Sequence, residues 1–283
     1  MSDMLDEKWF SEAADGFAMS LQIIRKLHEE QTPYQKLEIF ETKTFGNLMT
    51  LDGITMLTGR DNFIYHEMMS HPALFTHPNP KKVIIVGGGD CGTLREVLKH
   101  DEVEQVTQVE IDEQVTRAAE RFFPELCESN KDPRVEFLFQ DAIEWMAQAK
   151  PLSVDVIILD TTDPEGQAKR LFAEPFYSNC HHALSEGGIM TAQSESPLMD
   201  LEVLKDMRGE MRKAGFSDLQ TLNFYQPTYP SGWWSATMAR KTQNFGNFRE
   251  QVARRKKFET RYYNADIHRA SQVLPEYLRL ALT

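Results

Sequence analysis

The chain has 283 residues, 41% hydrophobic and 26% charged, with 43 Asp and Glu against 31 Lys and Arg for a formal net charge of −12. That length suffices for one large α/β domain plus a small accessory unit with a sizeable core, and the composition excludes a disordered chain. The acidic balance opposes a nucleic-acid partner, whose phosphates need clustered Lys and Arg. The segment MSDMLDEKWF is acidic and polar, unlike a signal or transit peptide, and no apolar run reaches the length of a membrane span. A cytoplasmic protein with no membrane partner is expected. Cys91, Cys127 and Cys180 show no C-x-x-C spacing, which suits free thiols and suggests no metal site.

In chain order, Trp9 and Phe10 are adjacent aromatics in a polar segment and are expected to pack onto the body. Phe17 to Leu27 fits a strand or a helix, whereas Gln35 to Thr42 alternates with period two. Asp52-Gly53 between two apolar runs is a two-residue hairpin signal. Arg60 to Met69 has helical spacing, with Asp61 or Asn62 as the cap. The Pro78 and Pro80 pair then marks a break. Residues 1–76 therefore read as a small antiparallel β-rich domain with a linking helix, and 77–283 as a second domain.

That second domain alternates apolar strands and helices: strands Val83 to Val86, Val106 to Glu110, Val135 to Phe139 and Val154 to Asp160, with helices from Thr93, Glu113 and Ile143. Such strands call for a mostly parallel sheet covered on both faces, an α/β fold. A further strand, Ile189 to Gln193, and a hairpin of Leu219 to Tyr225 with Trp233 to Met238 give the sheet an antiparallel edge.

Ligands in such sheets bind outside the carboxyl ends of the strands. Gly87, Gly89 and Gly92 satisfy the G-x-G-x-x-G nucleotide fingerprint, and Glu110 stands where an acid holds ribose hydroxyls. Asp90 is out of place for a dinucleotide, because its carboxylate would face the pyrophosphate; it also suits a helix cap. A ligand that keeps the ribose and carries positive charge in place of phosphate fits better, as sulfonium nucleosides do. Asp90, Glu110, Asp141 and Asp160 all stand at strand ends, and acids gathered in one crevice repel unless a cation or hydrogen-bond donors meet them. They are expected to raise one another's pKa, making one of them a better base.

With these residues in view, the chain resembles the spermidine synthases, the polyamine aminopropyltransferases. The resemblance is carried by YQKLEIF, LDG, DNFIYHEMM, VGGGDCGTLREV, VEID, QDA, LDTTDPEG, PTYPSG and RYYNADIHRA. It implies a β-rich N-terminal domain before a Rossmann-like sheet of the class I methyltransferase type. It also implies transfer of an aminopropyl group from decarboxylated S-adenosylmethionine, a co-substrate rather than a cofactor, to a diamine, usually putrescine. By position it places Gln35, Glu110, Asp141 and Ala142 on the methylthioadenosine moiety and Asp90 on the aminopropyl ammonium. His66 and the segment Asp160, Thr161, Thr162, Asp163 match polyamine contacts, Asp160 matches the general base, Tyr65 and Tyr229 line the channel, and Trp9 lies near the acceptor. Relatives form homodimers or homotetramers.

Several positions depart from the family pattern. Glu165-Gly166-Gln167-Ala168 lacks the proline that touches adenine, leaving Gln167 to hydrogen-bond the base; Lys169 and Arg170 follow on a loop facing a cationic substrate; Met56 and Gly59 replace polar residues; and Cys91 stands where glycine is usual. These leave the expected base and ammonium seat intact but open a shifted acceptor as one alternative and a binding protein without turnover as another. A methyltransferase on the same fold must account for Asp90. His268 reads as a packed structural residue, and Leu274, Tyr277, Leu278 and Ala281 as one apolar helix face toward the body or another subunit.

Overall fold

In a computed structural model, which describes residues 8–14, 16–164, 166, 168–242 and 244–282, the alternating N-terminal segments form one antiparallel sheet. Its strands, in spatial as in chain order, are β1 (Trp9–Ala14), β2 (Phe17–Gln31), β3 (Lys36–Thr42), β4 (Asn47–Leu51) and β5 (Ile54–Thr58). The segment from Phe17, open between helix and strand, is thus a strand of 15 residues, accommodated by register shifts against β3. The Asp52-Gly53 turn joins β4 to β5, with both residues at positive φ. Phe10 packs on Phe40 with ring centroids 5.8 Å apart.

The helix α1 (Asn62–Thr76) runs past the expected Met69 and contains Pro72. Nearly all of it is buried, so polar and apolar residues alike face protein and no stripe marks its end. Asp61 precedes the helix but does not cap it; its carboxylate accepts from Thr58 Oγ1 at 2.5 Å and from the Thr228 N–H and Oγ1 at 3.1 and 2.7 Å.

The second sheet alternates with helices as expected: β6 (Lys82–Gly87), α2 (Gly92–Leu98), β7 (Gln105–Glu110), α3 (Glu113–Phe122), β8 (Val135–Phe139), α4 (Ala142–Ala147), β9 (Val154–Asp160), α5 (Glu174–Ala183), β10 (Leu184–Gln193) and α6 (Leu201–Lys213). The hairpin β11 (Asp218–Tyr225) and β12 (Trp233–Arg240) follows, then α7 (Glu250–Arg254), α8 (Ala265–Ser271) and α9 (Glu276–Leu282). The spatial order is β11-β12-β10-β9-β6-β7-β8, parallel from β10 to β8, with the hairpin as the antiparallel edge. The strands β6 and β9 are nearly all apolar because helices cover both faces, whereas β7 buries Thr107 and Gln108 among its valines. No helix among the described residues is long and apolar enough to cross a membrane.

The two sheets share a core. Leu37, Ile39, Met49, Leu51 and Leu57 of the first sheet pack against Val115, Ala118 and Ala119 of α3 and Phe123 just after it. Asp112 accepts hydrogen bonds from Thr32 Oγ1 (2.7 Å) and Gln35 Nε2 (2.9 Å) across the same junction.

The RYYNADIHRA segment closes the structure behind α1. The buried Glu67 carboxylate accepts from three successive backbone N–H groups, Arg261 at 2.8 Å, Tyr262 at 2.9 Å and Tyr263 at 2.7 Å. His268 is fully buried, stacks on Phe248 and hydrogen-bonds the Tyr263 hydroxyl, a packed role as expected. Of the α9 face, Leu278 alone is buried among the described side chains, while Tyr277 reaches the Pro197 carbonyl at 3.1 Å.

Replacing Glu67 with Ala removes the acceptor of those three N–H groups, of which that of Tyr263 is buried and the other two partly so. The variant is expected to lose at least about 3 kcal/mol of unfolding free energy in urea, and Glu67→Gln, which keeps one acceptor oxygen, less. A Glu67→Ala midpoint equal to wild type would contradict this.

Candidate active site

Between the carboxyl ends of the parallel strands and the N-terminal sheet lies a cavity of about 520 Å³. All four strand-end acids, Asp90, Glu110, Asp141 and Asp160, line it. So do Gln35, Tyr65, Ala142, Thr161, Thr162, Asp163 and Tyr229, drawn from α1, the start of α4 and the loops beside the two sheets. His66 lies behind Asp90 and is 1% exposed, Trp9 is not part of the wall, and Gln167 lies outside the described residues.

The glycine turn sets the floor. Gly87 has φ +77° and a side chain there would overlap the Asp160 carbonyl, which accepts from the Gly88 N–H at 2.7 Å. The turn thereby brings Asp90 and Asp160 to one floor. The position before α2 belongs to Cys91, at φ +68°, and not to Asp90. Asp90 still takes the first helical N–H, that of Gly92, at 2.6 Å, so its carboxylate holds the place where a phosphate would bind.

Each acid is held differently. Asp160 Oδ1 accepts from the Tyr65 hydroxyl at 2.7 Å and Oδ2 from Thr93 Oγ1 at 2.6 Å. Burial, and after it the negative charge of Asp90, pushes its carboxyl above the usual range, although the His66 charge and the two hydroxyls pull the other way. Asp90 behaves oppositely. Burial opposes its ionisation, but His66, with Nε2 at 3.1 Å from Oδ1, and the Gly92 N–H outweigh burial and hold the carboxyl below its ordinary value. The expected mutual rise in pKa therefore fails at Asp90, because the fold sets the His66 imidazole and the Gly92 N–H against its carboxylate.

Glu110 is buried and pushed up to about 7, first by burial and then by Asp112 and Asp160, against the Asp112 N–H at 2.8 Å. Asp141 caps α4 through the Ile143 N–H at 2.7 Å. Tyr229 donates to the Met56 carbonyl at 2.6 Å and meets the Tyr65 ring edge-on. Burial and the surrounding acids push both tyrosines well above their ordinary value, so both remain neutral. Lys169 and Arg170 are exposed, and Arg170 lines the cavity.

Glu195, which is not part of the cavity wall but lies against Asp163, is a buried acid that sequence reasoning missed. It follows β10, has φ +59°, is buried, and meets Asp163; burial and the Asp163 charge push its carboxyl well above the usual range. The rule that acids gather at strand ends applies to β10 as well, and Gln193-Ser194-Glu195 sits at that strand's carboxyl end. Backbone strain of this kind concentrates where structure is held for function. Among the described residues no group of three His, Cys, Asp or Glu side chains is placed to hold a metal ion.

This cavity can bind a nucleoside along Gln35, Glu110 and Asp141, seat a cation on Asp90 and receive a proton at Asp160. Comparison with known proteins agrees in both halves of the chain. Residues 8–59 match the family model described as the spermidine synthase tetramerisation domain, and residues 62–249 that described as the spermine/spermidine synthase domain. The chain is 60% identical over 278 residues to a polyamine aminopropyltransferase of Nitrosococcus oceani, covering 97% of each, and 57% identical to one of Methylococcus capsulatus, covering 98% of this chain and 97% of that one. A crystal structure of spermidine synthase in complex with the transition state analogue AdoDATO superposes with a TM-score of 0.93 at 37% identity, over 100% of this chain and 99% of that one. Spermidine synthase from Thermotoga maritima gives 0.91 at 36% identity, over 100% and 98%. The chain belongs to the spermine/spermidine synthase family.

Proposed function

We propose that this protein transfers the aminopropyl group of decarboxylated S-adenosylmethionine to putrescine, giving spermidine and 5'-methylthioadenosine. The observation that carries the reading is that Asp90 and Asp160 share one cavity with their proton affinities set apart, one lowered and one raised. Glu110 takes the ribose hydroxyls, with Gln35, Asp141 and Ala142 along the rest of the nucleoside. Asp90 takes the donor's ammonium, and Asp163, Thr161, Thr162 and Tyr229 border the acceptor path.

An alkylammonium is roughly 0.1% neutral at pH 7, so its lone pair has to be freed before it can react. Asp160 accepts one proton from the acceptor nitrogen, which attacks the methylene carbon bonded to sulfur. The carbon–sulfur bond breaks, sulfur keeps the pair, and neutral methylthioadenosine leaves. The raised proton affinity of Asp160 favours this transfer. Ordinary S-adenosylmethionine would bring a carboxylate toward Asp90, a like-charge contact that selects against it.

A shifted acceptor is the second reading, favoured by Arg170 at a cavity built for cations and by Met56 in its wall. We also propose that the protein acts in the cytoplasm as a homo-oligomer; the family description of residues 8–59 supports a tetramer over a dimer. The proposed division of labour is an N-terminal unit, 1–76, and a catalytic unit, 77–283, with α1 tied to both through Asp61 and Glu67.

With purified protein, donor-dependent release of methylthioadenosine and aminopropylation of one amine among putrescine, cadaverine, agmatine and spermidine is expected. Donor binding without transfer to any of them would leave a binding protein. Asp160→Asn should lower kcat by about 10²–10⁴-fold while methylthioadenosine still binds. Asp90→Asn should narrow the preference for the decarboxylated donor over S-adenosylmethionine in competition binding.

The sign of the Glu110 dependence follows from its value near 7 in the free protein. Ribose hydroxyls donate to the ionised carboxylate, so binding lowers its pKa and affinity is lost as pH falls. Methylthioadenosine affinity is therefore expected to be flat above about pH 7.5 and to weaken by up to about tenfold per unit below 7. Calorimetry on Glu110→Gln should show weaker binding with that slope absent.

A further inference from the structure

A histidine lies against the carboxylate proposed to seat the donor's ammonium. His66 projects from α1 under Asp90, with Nε2 at 3.1 Å from Oδ1 and 3.3 Å from Oδ2, and it is 1% exposed. A side chain at Gly92 would overlap the imidazole, so the glycine at the start of α2 makes room for it. Its other nitrogen, Nδ1, is buried and has no hydrogen-bond partner among the described residues. A charged imidazole, with two N–H donors, would have only one of them satisfied here, and that one by Asp90.

The groups facing His66 are few. Asp90 lies on the β6–α2 loop, Asp160 ends β9, Arg95 is on α2, and Tyr65 on its own helix meets the ring edge-on at 5.7 Å. Burial and Arg95 disfavour the imidazolium, whereas Asp90 and then Asp160 favour it and raise its pKa above the ordinary value.

We propose that His66 is a proton-carrying placeholder for the substrate's ammonium: it pairs with Asp90 in the free protein and releases one proton to solvent when a primary ammonium takes that carboxylate. This rests on the assignment of Asp90 as the donor's ammonium seat. The ammonium arrives fully protonated and brings one positive charge; Nε2–H⁺ of His66 loses one proton to the buffer and the imidazole becomes neutral. The charge beside Asp90 is unchanged by the exchange. If His66 kept its proton, it and the ammonium would compete for the one Asp90 carboxylate, with the buried Nδ1–H still unpartnered among the described residues. His66 is then a positioning residue, not a catalytic one. It keeps Asp90 ionised and oriented between turnovers, and its neutral form makes room for the positive tail.

Calorimetric titration in two buffers of different ionisation enthalpy counts the protons released. At about pH 7, decarboxylated S-adenosylmethionine should release up to about one proton more than methylthioadenosine, which shares the ribose and the Glu110 contribution but lacks the ammonium. NMR of ¹⁵N-histidine-labelled protein should show the His66 ring turning neutral with the donor and not with methylthioadenosine. The excess should vanish in His66→Asn. Equal proton counts for the two ligands, with the imidazolium persisting in the donor complex, would overturn the proposal while leaving the aminopropyltransferase reading in place. A donor that does not bind at all overturns both.

Discussion

Two carboxylates on one buried floor repel each other, and much of the molecule serves to hold Asp90 and Asp160 where they are. Neither is simply paired away. Asp160 is gripped by two neutral hydroxyls, Tyr65 and Thr93, which steady the ionised group without cancelling its charge. Asp90 is met by an imidazole and a backbone N–H, which favour its ionised form against burial. Burial alone would push both acids the same way; the unequal partners separate them, and a reaction that must both seat a cation and remove a proton needs that separation.

The partners come from one short run of chain. Tyr65 and His66 are consecutive on α1, and the next residue, Glu67, anchors that helix to the backbone at 261–263. Asp61, one turn earlier, ties the helix start to Thr228 beside Tyr229. A helix buried along nearly its whole length is an unusual place for so many polar groups, and Asn62, Tyr65, Glu67 and His71 each have a fixed partner, whereas His66 has one at Nε2 and none at Nδ1 among the described residues. The nucleoside half depends on another junction. Gln35 and Thr32 reach Asp112, two residues beyond Glu110, so the proposed ribose contact is completed where the two sheets dock.

How much of this can be read from residues follows from the range of each interaction. The parallel sheet, the hairpin edge and the strand-end acids are written locally, in apolar runs and in the residue that closes each one, and they appear where expected. The length of α1 is not local, because a helix surrounded by protein loses its stripe, and Pro72 reads as a stop although the helix continues through it. Nor is the state of Asp90, which depends on a histidine 24 positions away that sequence similarity presents as a ligand contact. Glu195 was within reach of the strand-end argument, but its position outside a regular strand, at positive φ, hides it from periodicity. Cys91 takes the left-handed position before α2 without any outward sign beyond replacing a glycine.

The Glu67 anchor has a consequence for how the molecule comes into being. Its carboxylate waits for N–H groups that lie 194 to 196 residues further along. On the ribosome, α1 and the glycine turn emerge long before the backbone that secures them, so a nascent chain carries its acids without the support that orients them. The support for α1 is therefore complete only once residues 261–263 have been made and have folded back onto it.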